Sequence, residues 1–285
     1  MRPDDWYSTK DLTAFLAHAG GFLRSRPDLH TVPLTVTETL RTNGLRAYGG
    51  EPPVFGALEL AGQVRAAYFR TPPYHLNVTP LTPEEADSLA AHLVGLGQAV
   101  PGVIAARETA EAFSAAWRRH AGARGAVGQR QRLYRLGNLT VPQPAPAGRA
   151  RVAGPADREQ LTRWHGEFVA AVGHVAARDA GAWADSRISY GGVTFWEGED
   201  GTPLAMAGVT PEVAGQVRVA PVYTPAPLRG RGYAGAVTAA VTRAVLGSGV
   251  REVLLFTDLD NPTSNGLYQR IGYRAVADFA AYEFR

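Results

Sequence analysis

Val217-Arg218-Val219-Ala220-Pro221-Val222-Tyr223-Thr224-Pro225-Ala226-Pro227-Leu228-Arg229-Gly230-Arg231-Gly232-Tyr233-Ala234 is the stretch on which the reading of this chain turns. An extended apolar run enters a basic, glycine-rich turn. An Ala/Val-rich helix pattern follows, with Val237, Val241 and Val245 along one face. Strand, glycine turn and helix together make an anion cradle. Glycine lets the main chain approach a ligand closely, and the N–H groups of the first helical turn point at it. Arg229 and Arg231 add charge suited to phosphate. The stretch therefore predicts a phosphate-bearing ligand.

The bulk composition narrows the class. A chain of 285 residues suggests two domains. It is 45% hydrophobic and 19% charged, enough for real cores and too uncharged for a disordered chain. The net charge of +3 is mild. Basic residues are dispersed apart from Arg130–Arg135 and Arg229–Arg231, so no nucleic-acid partner is expected. The chain has no cysteine, which removes disulfides, cysteine nucleophiles and thiolate metal sites. The N-terminus lacks the apolar core of a signal peptide, and no window approaches the roughly 18 apolar residues of a membrane span. A cytoplasmic protein with no membrane partner is the expectation. No H-x-x-x-H or H-E-x-x-H spacing occurs, so no metal is expected.

Patterning outlines two similar halves. In the first, a helix is expected from an N-cap at Ser8 or Thr9. Strands follow over Leu34–Thr39, Val54–Leu60, Val64–Arg70 and His75–Thr79. A helix is then expected over Pro83–Leu96, a strand over Gly102–Ala106, a helix over Thr109–His120 and a strand over Gln131–Leu136. Residues 142–149, PQPAPAGR, read as a stiff linker. The second half opens with a strand at Arg149–Val152 and a helix from about Ala156 carrying Leu161, Trp164, Phe168 and Val172. A hairpin follows over Gly192–Glu197 and Pro203–Val209, then a strand over Gln216–Thr224. After the glycine turn come a helix to about Leu246, a strand over Glu252–Thr257 and a helix near Ser264–Arg270. Closing strands span Ala275–Phe284. The repeated order suggests a duplicated α/β unit; a GQVR tetrapeptide also occurs in each half, at positions that need not correspond. The expected domains are 1–143 and 144–285.

Two motifs in the second half resemble the GNAT superfamily of N-acetyltransferases. Arg229-Gly230-Arg231-Gly232-Tyr233-Ala234 resembles the family's Q/R-x-x-G-x-G/A acetyl-CoA signature. Asn261-Pro262-Thr263-Ser264-Asn265-Gly266-Leu267-Tyr268-Gln269-Arg270-Ile271-Gly272-Tyr273 resembles its N-x-x-A-x-x-L-Y-x-x-x-G-F/Y segment. In the first half the corresponding turn reads Pro80-Leu81-Thr82-Pro83-Glu84-Glu85-Ala86-Asp87. It has no glycine and three acidic side chains where a diphosphate would sit, so Coulomb repulsion makes it a poor site. The chain is thus similar to tandem GNAT proteins, broadly as in the mycothiol synthases, with a degenerate N-terminal half. The implied fold class is α/β (α+β): two tandem GNAT-like domains, each a mixed, mostly antiparallel sheet flanked by helices.

The resemblance also implies chemistry. The main chain of Val222, Tyr223 and Thr224 would pair with the pantetheine arm, one N–H polarising the thioester carbonyl. Arg229, Gly230, Arg231, Gly232, Tyr233 and Ala234 would hold the pyrophosphate. Asn261 and Ser264 would meet the cofactor arm, and Tyr268 would protonate the leaving thiolate as general acid. The general base stays open among Asp258, which is preferred, Glu167, His165 and Glu197, with a water relay able to replace any of them. Asp258 lies past the short strand and can equally be a turn aspartate; His165 can equally be a core histidine. The expected reaction is direct acetyl transfer from acetyl-CoA to a small-molecule amine in a ternary complex, with a cysteine acyl-enzyme excluded because cysteine is absent, in a monomer or homodimer. Two rivals stand beside it: a non-catalytic acyl-CoA-binding module, and a nucleic-acid binder using Arg130–Arg135 and Arg229–Arg231.

Overall fold

The computed structural model describes residues 5–172 and 179–285. The first ten regular elements are β1 (Trp6–Thr9), α1 (Leu12–Ser25), α2 (Thr31–Asn43), β2 (Val54–Leu60), β3 (Gln63–Arg70), β4 (Leu76–Val78), α3 (Pro83–Gly95), β5 (Gly102–Ala106), α4 (Arg107–Ala121) and β6 (Gly125–Leu136). The same order then recurs: β7 (Arg149–Val152), α5 (Arg158–Ala171), α6 (Ala180–Ile188), β8 (Val193–Glu197), β9 (Pro203–Val209), β10 (Gln216–Tyr223), α7 (Tyr233–Gly247), β11 (Glu252–Asp258), α8 (Pro262–Ile271) and β12 (Tyr273–Phe284). The pairing recurs as well. β2, β3 and β4 are antiparallel and β4 then pairs β5 in parallel, just as β8, β9 and β10 are antiparallel and β10 then pairs β11 in parallel.

Packing divides the chain into two units that do not coincide with 1–143 and 144–285. One comprises Met1–Leu133, Asp258–Asp260 and Val276–Arg285; the other comprises Tyr134–Thr257 and Asn261–Ala275. In the first unit, Phe279–Glu283 of β12 pair antiparallel with Ala106–Gly102 of β5. Phe284 stacks on Trp117 at 5.9 Å, and Ala280 joins a core with Leu58, Tyr68, Leu89 and Phe113. The second unit has two cores. Val217, Val219, Val237, Leu255, Tyr268 and Ile271 form one, while Leu161, Trp164, Phe195, Met206 and Tyr223 form the other. Alternation along β10 sends Tyr223 to the second core and packs Val222 on the first.

Several elements differ from expectation. Trp6–Thr9 is a strand, and the N-cap of α1 is Asp11, whose carboxylate accepts from the N–H groups of Thr13 and Ala14. Leu34–Thr39, expected as a strand for its Val/Thr content, lies inside α2. The β-branched preference yields because Thr35, Thr37, Thr39 and Thr42 return their hydroxyls to carbonyls four residues back. Pro33 falls in the first turn, where its missing N–H has no intrahelical acceptor to lose. Helix α6 carried no expectation at all. The two GQVR segments fall on non-equivalent strands, β3 and β10, so their match is not part of the repeat.

Candidate functional site

The expected ligand-binding residues of the second half lie in and around β10, α7 and α8 of the second unit. Strand β10 pairs β11 only over Gln216–Arg218, with Arg218 opposite Leu254. Both strands continue, β10 to Tyr223 and β11 to Asp258, beyond the last paired residues. On its other side β10 stays paired with β9 through Val222 and Tyr223, after a bulge between Val219 and Val222 that accommodates Pro221. The carboxyl end of β10 therefore carries main-chain groups that the parallel ladder does not use. Thr224 lies one residue past the strand. Its hydroxyl is buried without a hydrogen-bond partner, and its carbonyl accepts from Arg229 Nε at 3.1 Å.

The glycine turn follows at once. Gly230 and Gly232 sit at φ of 76° and 85°, a left-handed region that favours glycine. Gly232 caps α7 without any side-chain hydrogen bond, and the first turn has no acidic residue. The first main-chain bond of the helix runs from Ala236 N–H to Gly232 O. The N–H groups of Gly232, Tyr233, Ala234 and Gly235 thus have no acceptor among the described residues, which leaves the positive end of the helix dipole available. Arg229 and Arg231 are exposed and form no ion pair with a described carboxylate. Segment 142–149 behaves differently from a spacer. Pro146 lies 3.8 Å from where a Cβ on Gly232 would stand, Pro142 lies 3.4 Å from the same point on Gly235, and Ala147 O accepts from Trp196 Nε1.

The equivalent turn of the first unit is closed. Thr82 caps α3, its Oγ1 accepting from Glu85 N–H, while Glu85 Oε2 accepts from Thr82 N–H at 2.7 Å. Pro83 has no N–H, and the Thr82 and Glu85 N–H groups are both taken by the capping box. The capping box and Pro83 thus take away most of the donors that could meet an anion. Glu85 is itself buried and paired to Arg65 at 3.2 Å. The acidic, glycine-free sequence is the chemical form of this closure.

Helix α8 begins at Asn261, whose Oδ1 accepts from Ser264 N–H at 3.0 Å. The Asn261 oxygen is committed to the cap, leaving its amide N–H groups for any ligand. Tyr268 is 8% exposed and packs edge-on to Tyr273 at 6.2 Å. Burial pushes its phenol up to about 12, and no described group hydrogen-bonds its hydroxyl. It is a protonated donor at neutral pH with its proton uncommitted.

The base candidates separate cleanly. Glu197 is buried in an ion pair with Arg151 at 2.5 Å, and Arg151 also grips Asp157, so Glu197 serves structure. The His165 ring stacks flat on Trp183 at 4.1 Å. Asp258 accepts from Asp260 N–H at 2.8 Å, the turn aspartate's geometry, and it counts with the first packing unit. Glu167 accepts a 2.6 Å hydrogen bond from Tyr223, at the end of β10. No spacing signal could have joined residues so far apart in sequence.

Residues 209–282 match the family model described as FR47-like protein. Among solved structures, the chain resembles a GCN5-related N-acetyltransferase from Sphaerobacter thermophilus at 18% identity and a TM-score of 0.65, covering 99% of this chain and 96% of that one. An acetyltransferase of the GNAT family from Colwellia psychrerythraea follows at 15% identity and a TM-score of 0.61, covering 98% and 99%. The chain is a tandem GNAT-fold protein. A tandem GNAT protein from the clavulanic acid biosynthesis pathway aligns over 97% of both chains, at 11% identity and a TM-score of 0.57. No curated protein sequence matches the chain. Within the GNAT fold, the open turn before α7 and the closed turn before α3 are the same position in successive repeats.

Among the described residues no helix is long and apolar enough to cross a membrane, and no group of three His, Asp or Glu is placed to hold a metal ion. Arg130, Arg132 and Arg135 are each paired, to Asp260, Asp278 and Glu252. The basic run is locally neutralised.

Proposed function

We propose that this protein is an acetyl-CoA-dependent N-acetyltransferase acting on a small-molecule amine by direct transfer in a ternary complex. One observation carries the reading: the helix start after β10 keeps its donors free, beside a strand end released from its parallel partner, whereas the repeat's other copy is closed by a capping box and a proline. The free N–H groups of Gly232 to Gly235, with Arg229 and Arg231, suit a pyrophosphate. The main chain from Val222 to Thr224 suits an extended amide-bearing arm and a thioester carbonyl.

In the transfer, the amine nitrogen bonds to the acetyl carbon, the carbon–sulfur bond breaks, and the thiolate takes a proton. Tyr268 supplies that proton in this reading. Its raised phenol is a weak acid, but a thiolate forming in the same dry surroundings is correspondingly more basic. The decisive experiment mixes acetyl-CoA with a broad amine panel and measures free CoA. Amine-dependent release is expected. Tight acetyl-CoA binding with no release across the panel would instead favour a non-catalytic acyl-CoA-binding module. The nucleic-acid reading keeps only Arg229 and Arg231, because Arg130, Arg132 and Arg135 are already paired.

A further inference from the structure

Tyr223 is the last residue of β10, and its phenol donates to Glu167 Oε2 at 2.6 Å. The tyrosine ring is buried edge-on to Trp164 at 5.8 Å, so the hydroxyl is fixed by packing. Glu167, on α5, is exposed. One carboxylate oxygen is thus anchored by a rigid donor while the group as a whole faces solvent. Exposed carboxylates are ordinarily mobile; this one is held at the end of the strand that the acetyl-transfer reading uses for the thioester.

The charges around it are otherwise engaged. On the turn after β10, Arg229 bonds Thr224 O and acts on Tyr223 through space. On α6, Asp185 is paired with Arg158, and Arg187 lies 5.6 Å over Trp183 and donates to Val209 O. On α5 itself, Arg163 bonds Gln160 and His165 stacks on Trp183. Among the described residues, no cation forms an ion pair with Glu167. A positioned carboxylate with no cation of its own, beside the reacting strand end, matches an incoming ammonium.

We infer that Glu167 receives the acceptor's ammonium group and takes its proton, with Tyr223 as the positioning residue that holds the carboxylate, so that the acceptor is a cationic amine. This rests on the acetyltransferase reading. The ammonium first gives one proton to the free Glu167 oxygen, which exposes the nitrogen lone pair for attack on the acetyl carbon; the new carbon–nitrogen bond then makes the nitrogen acidic enough to lose its second proton to water. The thiolate is protonated separately, and Glu167 returns its proton to water.

The test uses the full chain with Glu167→Gln and Tyr223→Phe, measuring CoA release with primary amines and acetyl-CoA affinity by calorimetry. At pH 7, Glu167→Gln is expected to lower kcat/KM by roughly 100-fold or more, the range of general base catalysis. Acetyl-CoA affinity stays within about twofold. The loss shrinks as pH rises toward the amine's own pKa near 10, where free amine no longer needs the base. Tyr223→Phe shows a smaller loss, on the order of tenfold, with the same pH trend. If the wild type transfers acetyl groups and Glu167→Gln stays within about threefold of it, or loses equally at all pH values, this inference is overturned and the acetyltransferase reading stands. A wild type that neither binds acetyl-CoA nor releases CoA removes both.

Discussion

Replacing Gly232 with alanine tests the anion cradle with a magnitude that the structure sets. Gly232 has φ of 85° and caps α7. A Cβ there would lie 3.8 Å from Pro146, an ordinary contact, so space is not the obstacle. What remains is the left-handed conformation itself, which costs an L-residue about 1–2 kcal/mol. That energy has two places to appear. If the free variant keeps the turn, the loss shows in folding stability and acetyl-CoA affinity is nearly unchanged. If the turn relaxes to a negative φ, stability recovers, but binding must rebuild the cradle, and affinity falls about 5- to 30-fold. The two losses should sum to about 1–2 kcal/mol in either case. Urea unfolding and calorimetric titration measure them separately. Gly266→Ala is the control, because its Cβ meets only the flexible end of Arg270, at 3.3 Å, in a helix where alanine is preferred. A Gly232→Ala protein with wild-type stability and wild-type acetyl-CoA affinity would refute the argument.

Three further outcomes are expected. Tyr268→Phe should lower kcat on the order of 100-fold while acetyl-CoA affinity holds, measured by steady-state CoA release and calorimetry; unchanged turnover would exclude the acid role. Thr82→Ala removes the cap of α3 and should cost about 1 kcal/mol of stability in urea unfolding without changing acetyl-CoA affinity, since that acidic, glycine-free turn is not the proposed cofactor site. Alkaline stability should fall steeply. Burial pushes the Tyr68, Tyr223 and Tyr268 phenols up to about 12 from an ordinary 10. The unfolded chain therefore loses those protons first, so their contribution is intact below pH 10 and is lost between about 10 and 12. An unfolding midpoint flat across that window would contradict it.

The glycine turn, the degenerate turn and most elements were readable because their signals are local. Two glycines and no acid before an Ala/Val helix mean an open helix start; Thr82 and Glu85 three residues apart mean a capping box. Helix α2 was not readable, because its Thr and Val residues favour strands until hydroxyls bond back to the helix carbonyls. Residues 142–149 look like a spacer in composition, yet Pro142 and Pro146 pack against Gly235 and Gly232. Among the base candidates, position along the chain singled out Asp258, at the end of β11. Glu197 was removed by a buried pairing with Arg151, and Glu167 was raised by Tyr223.

By itself, then, the amino-acid sequence determined the repeated α/β order, the absence of cysteine chemistry and the position of one glycine turn with an open helix start. Those follow from backbone freedom, periodicity and residue chemistry within a turn or two of chain. Tertiary structure alone decided where the parallel ladder of β10 and β11 stops, which packing unit claims the end of β12, and which carboxylate stands at the strand end. These depend on contacts between segments distant in sequence, and the energy of such contacts is set by packing and burial, which no local pattern encodes.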